Sequence, residues 1–170
     1  MKPHLLTALF SAFSVILSQI AVPIGPVPVT FTHISVFLAA GLLGAKKAAF
    51  SQLIFVLLGL AGLPVFAGFA GGIGVLFGPT GGFIIGYIGC AFTAGLLIEY
   101  WGKTTKKMAL SLCAGWAVTY ICGIPWFAYS TQTGLYAAFM ACFLPFIPGD
   151  IFKTLVSIIL IKKLKPILQL

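Results

Sequence analysis

The 170 residues are 61% hydrophobic and 7% charged, with ten lysines, no arginine and two acids, Glu99 and Asp150. A soluble domain carries roughly 25% charged residues to cover its surface, so this composition excludes one and calls for lipid around most of the chain. The net charge of +8 does not point to nucleic acid, because the lysines sit in small clusters between long apolar runs, where membrane proteins keep their charge.

Six apolar runs predict six transmembrane helices in one membrane domain spanning 1–170. The first, Leu5–Val22, is long enough to cross and too long for the apolar core of a secretory signal, so it reads as a permanent helix. It carries Ala8 and Ala12 in Ala-x-x-x-Ala spacing, which lets helix backbones approach closely. Phe31–Gly44 and Ala48–Leu60 follow, joined by Lys46 and Lys47. The fourth run, Gly82–Trp101, bears a small-residue stripe of Gly82, Gly86 and Cys90, read as internal packing. Met108–Gly123 and Asp150–Ile161 complete the set. The second, third and sixth runs fall short of the ~20 residues of a full span and are expected to extend into, or lie under, the adjoining loops.

Charge sets the orientation. Lys2, Lys46, Lys47, Lys103, Lys106, Lys107, Lys162, Lys163 and Lys165 all fall on one side of the six-span arrangement. By the positive-inside rule that side, with both termini, is cytoplasmic. The connections around 23–30, 61–81 and 124–149 contain no lysine. They are apolar and bent by glycine and proline, and the stretch Tyr136–Phe146 suggests a short surface helix. Water-exposed loops are normally polar. Irregular apolar backbone at membrane depth belongs over a buried cavity, so these loops read as a cover over a ligand. Insertion among lipid headgroups, which aromatic residues favour, is the alternative.

Lys153 is the one lysine outside the cytoplasmic set, and Asp150 stands three residues before it, on the same helical face. Charge inside a membrane helix is expensive and marks a ligand site or pathway. The competing readings are a helix cap for Asp150 and a snorkelling Lys153. The cysteines Cys90, Cys113, Cys122 and Cys142 lack metal-ligand spacing, and neither a metal site nor a cofactor is expected. Gly72-Ile-Gly-Val-Leu-Phe-Gly78 has the wrong spacing and context for a dinucleotide loop, and a Walker motif is lacking. With two acids and isolated His4 and His33, the chain lacks a nucleophile–base pair and does not read as an enzyme.

Five segments carry a family resemblance: Gly25-Pro-Val-Pro-Val-Thr30, Gly62-Leu-Pro-Val-Phe-Ala-Gly68, Gly78-Pro-Thr-Gly-Gly-Phe83, Tyr120-Ile-Cys-Gly-Ile-Pro-Trp126 and Pro148-Gly-Asp-Ile-Phe-Lys153. In this order the chain resembles the BioY family, the biotin-specific S components of energy-coupling-factor (ECF) transporters. The resemblance implies an all-α S-component fold of six transmembrane helices, capturing biotin from outside and working with a T subunit and two ATPase subunits. It implies that Asp150 and Lys153 are the polar contacts to biotin. It also maps the T-subunit docking surface onto Ala8 and Ala12. Phe66, Gly78, Thr80 and Trp126, within the shared segments, complete the candidate ligand set. Phe83 stands for a family tyrosine, Ile84 for a basic residue found in some members, and Thr32 for a frequent glutamine. Lys153, Thr80 and backbone N–H groups of the glycine-rich loop are therefore the candidates for the biotin carboxylate. The rival expectations are an S component for another vitamin and a structural or channel subunit.

Overall fold

A computed structural model describes residues 3–168; Lys2, the first lysine assigned to the cytoplasm, lies outside them. Six longer helices follow the six predicted runs: α1 (Pro3–Gln19), α2 (Thr32–Leu43), α3 (Ala45–Leu60), α5 (Gly81–Trp101), α6 (Thr105–Thr131) and α8 (Ile147–Leu168). Two short helices, α4 (Ile73–Phe77) and α7 (Leu135–Cys142), lie in the lysine-free connections, and Ala21–Val22 (β1) pairs antiparallel with Val29–Thr30 (β2). By length and composition, α5, α6 and the run Leu135–Leu168 are each able to cross a membrane.

The short second helix has a physical explanation. From Thr32 to Leu42 every residue of α2 is buried, so it is apolar all round because it is surrounded by protein. It needs no lipid-spanning length, since α1, α3, α5 and α8 pack around it. At Gly41 a Cβ would come within 2.5 Å of the Ile161 side chain, so the glycine leaves room for Ile161 of α8 against the α2 backbone. The stripe on α5 behaves likewise: a Cβ at Gly82 would lie 2.4 Å from that of Trp126, and one at Gly86 3.1 Å from the Thr119 backbone. Gly82 and Gly86 therefore let α5 press against α6, as small residues do between membrane helices.

Polar side chains point inward, the reverse of a soluble protein. On α1, Thr7, Ser11, Ser14 and Ser18 are buried at i, i+4, i+7 and i+11, one helical face. Ser14 Oγ lies 2.9 Å from Ser35 Oγ and 3.2 Å from the Gln52 carboxamide oxygen, within hydrogen-bond reach of both, tying α1 to α2 and α3. The opposite face presents Leu5, Leu9 and Ile16, with Ala8 and Ala12 between them, all exposed.

Several boundaries differ from the sequence expectation: α1 ends at Gln19, with Ala21–Val22 in a strand rather than in the first span, and α3 begins at Ala45, so that Lys46 and Lys47 lie in its first turn. α6 runs on from Gly123 through Pro125 to Thr131; proline is tolerated inside membrane helices because neighbours satisfy the freed backbone group. α8 starts at Ile147, three residues before Asp150, and continues to Leu168. The connection 61–81 is not all loop, since a 3₁₀ turn (Ala67–Phe69) and α4 fold within it. The expected surface helix is α7, which buries Ala138 and Cys142 while Tyr136 stays exposed.

Candidate functional site

The lysine-free connections cover a cavity of about 270 Å³ at the end of the bundle where α1, α3 and α6 finish. Its walls are the β1–β2 hairpin (Val27, Pro28, Thr30), the segment Phe66–Ala70, and the first turns of α5. Phe66 is fixed by edge-on packing against Phe55, with ring centroids 5.5 Å apart. Val27, Pro28, Thr30, Phe83 and Tyr87 also line a smaller adjoining lobe of about 30 Å³, which Lys153 and Tyr120 border. The two together match an apolar small-molecule pocket with a few convergent polar groups.

Lys153 is 3% exposed and does not snorkel. Its ammonium stands 3.0 Å from Asp150 Oδ1, donates to the Thr30 backbone carbonyl at 3.3 Å, and lies 4.7 Å above the Trp116 ring. Each contact offsets part of the cost of burying the charge. Asp150 does not cap α8 either. Its Oδ2 accepts the Tyr120 hydroxyl and its Oδ1 faces Lys153.

Aromatic rings fix the remaining walls of the small lobe. Trp116 stacks on His33 at 3.7 Å and on Tyr120 at 5.9 Å, and its indole N–H donates to Thr154 Oγ1 at 3.1 Å. His33 Nε2 lies 3.4 Å from Thr119 Oγ1. Thr30 Oγ1 is 3.3 Å from the Tyr87 hydroxyl and accepts from Thr32 Oγ1 at 3.0 Å. The hydroxyls of Thr30, Tyr87, Thr119 and Tyr120, the Lys153 amine and the His33 imidazole thus converge on the small lobe, where the hairpin meets α2, α5, α6 and α8.

The predicted site residues separate into three groups. Phe66 and Thr80 line the larger cavity and Lys153 the smaller lobe. Asp150 lines neither; it stands behind Lys153 and Tyr120, bordering an outer groove between α6 and α8. Gly78 and Trp126 also lie outside both linings, because the Trp126 indole donates to the Gly78 carbonyl at 3.0 Å and staples the end of α4 to α6. Sequence reasoning missed His33, Tyr87, Trp116 and Thr119, and took Tyr120 and Thr30 only as motif members. A signal was present for part of this set: Trp116 stands near the middle of the Met108–Gly123 run, away from the interfaces where membrane aromatics usually gather, and Tyr120 is one turn on.

Comparison with known proteins gives this arrangement its relatives. The chain is 42% identical to a protein of Pyrococcus horikoshii named probable biotin transporter BioY, over 94% of both chains. It is 36% identical to the biotin transporter BioY of Thermotoga maritima, over 97% of this chain and 96% of that one. A crystal structure described as the S-component for biotin from an ECF-type ABC transporter superposes with a TM-score of 0.91 at 28% identity, covering 97% of this chain and 91% of that one. The family model for BioY matches residues 1–170, and with these relatives and this shared fold it shows that the chain belongs to the BioY family.

Proposed function

We propose that this membrane-embedded chain is the biotin-binding S component of an ECF-type transporter. It sits in the cytoplasmic membrane with both termini inside and takes up biotin from the outer side. Ala8 and Ala12, on the unpartnered face of α1, meet the T subunit, and ATPase subunits supply the energy that this chain has no motif to supply.

The observation that carries the reading is the buried pair Asp150–Lys153 with Tyr120 at the edge of a mostly apolar cavity. Biotin's ureido ring presents two N–H donors and one carbonyl acceptor, beside an apolar thioether ring and tail. Lys153, an obligate donor, faces the ring carbonyl. Tyr120 gives its proton to Asp150, so its lone pairs turn to the lobe and accept a ring N–H; Thr30 or Thr119 takes the other. Asp150 therefore acts as a positioning residue, aligning both groups. The thioether ring and tail fill the larger cavity against Phe55, Phe66 and Ile84, and the carboxylate lies toward Thr80 at the α5 N-terminus, the favourable end of the helix dipole.

Thermal melting of the purified chain with biotin, thiamine and riboflavin tests this. A ligand at about 100 times its Kd adds roughly 2.7 kcal/mol of stability. Biotin alone is expected to raise the melting temperature. A response to another vitamin reassigns the ligand, and a flat response to all three indicates a structural or channel subunit.

A further inference from the structure

One wall of the cavity follows α3, whose Phe55 packs on the Phe66 ring, but takes its side-chain hydrogen bonds from another helix. Phe66, Ala67 and Ala70 line the cavity from the connection between α3 and α4, yet the polar contacts that fix this stretch come from the end of α1. The Gln19 carboxamide donates to the Val65 carbonyl (3.2 Å) and the Phe66 carbonyl (3.1 Å), while its oxygen accepts the Phe69 N–H (2.9 Å). Ser18 Oγ also donates to the Val65 carbonyl. Within itself the segment has one bridge between Phe66 and Ala70 and the 3₁₀ turn Ala67–Phe69. Backbone groups at membrane depth must find partners, and a carboxamide supplies a donor and an acceptor together.

We propose that Gln19 is a positioning residue that holds the Phe66–Ala70 wall closed from α1, and so sets how long the ligand stays bound. The inference rests on the biotin-binding reading and adds a residue that touches no ligand. The same helix exposes Ala8 and Ala12, so a tilt of α1 pulls directly on the wall.

The test compares the purified full chain with Gln19→Met, Gln19→Glu and the control Gln132→Met, following labelled biotin chased by unlabelled biotin. Gln19→Met keeps the shape and removes all three contacts. Gln19→Glu keeps the acceptor for Phe69 and sets carboxylate oxygens against two carbonyls. Each lost hydrogen bond is worth roughly a few-fold, so both variants are expected to release biotin about tenfold faster or more. Association is expected to change by less than about twofold, as most effects on affinity fall on dissociation. The Gln132 variant is expected to match the parent. Dissociation at the parent rate in both Gln19 variants overturns the proposal. So does a smaller fraction of binding-competent protein with an unchanged release rate, which is what a purely structural role gives. Should one variant fail to fold, the other decides. If the parent chain itself holds no biotin, the function reading fails separately. The clamp is then judged by hydrogen exchange at the Phe66–Phe69 amides, where faster exchange in Gln19→Met supports it and unchanged exchange overturns it.

Discussion

The two ends of the bundle are built on opposite plans. At one end the connections are minimal, Gly44 alone between α2 and α3 and residues 102–104 between α5 and α6, and eight of the described lysines gather there. Glu99 reaches from α5 to accept the Ala45 N–H at 3.1 Å, and Lys162 donates to Thr105, so the short turns are tied across the bundle. Crowding shows in Lys103, whose ammonium is held below the usual lysine range, first by partial burial and then by nearby Lys165, with Glu99 opposing. At the other end the connections are long, lysine-free and folded into a hairpin, a 3₁₀ turn, α4 and α7. One end is made to stay in water beside the headgroups, the other to enclose a space. Lys153 is the exception, a buried lysine at the end that encloses the cavity.

The largest effect expected from this contrast is all-or-none. In a cysteine-free background of intact cells, Lys47→Cys and Lys106→Cys are expected to escape a membrane-impermeant thiol reagent, while Gln132→Cys is expected to react. Labelling of either lysine position from outside would break the assignment of the two ends.

Next come the charged residues at the covered end. Lys153→Met leaves Asp150 buried with Tyr120 as its hydrogen-bond donor. Breaking a buried ion pair costs about 3–5 kcal/mol, so a lower apo melting temperature is expected, with biotin affinity down a hundredfold or more. Asp150→Asn is milder, because Lys153 retains the Thr30 carbonyl and the Trp116 face. Its amide no longer fixes the Tyr120 proton, and affinity is expected to fall about tenfold. Titration calorimetry and melting curves on both variants check the ranking. Equal, small losses of affinity would mean that the pair only supports the helix end.

Much of this was legible in the sequence because lipid imposes simple rules. Long apolar runs, the lysine alternation and the apolar outer loops gave six spans, two unlike ends and a cover. The Asp150–Lys153 spacing pointed to two charges on one helical face, which the fold buries as an ion pair. What was hidden depends on contacts between distant segments. Trp126 and Gly78 stood in shared motifs beside cavity-lining residues, and only the fold shows them bonded to each other. His33 reads as isolated in the sequence because its partners, Trp116 and Thr119, lie more than eighty residues away. Gln19 reads as an ordinary helix end until Val65, Phe66 and Phe69 are brought to it. The short α2 looked too short to span because its burial by four neighbours cannot be read from its own residues.

The central claim is that Lys153, aligned by Asp150, donates to the carbonyl of biotin's ureido ring. Iminobiotin, in which that carbonyl is replaced by an imino group and the ring becomes a guanidinium, tests it most directly. Titration of the purified chain at neutral pH is expected to give one-to-one binding of biotin. Iminobiotin is expected to bind at least a hundredfold more weakly, because a cation then faces the buried ammonium and the acceptor is gone. Equal binding of the two would contradict the account and place the ring elsewhere in the cavity.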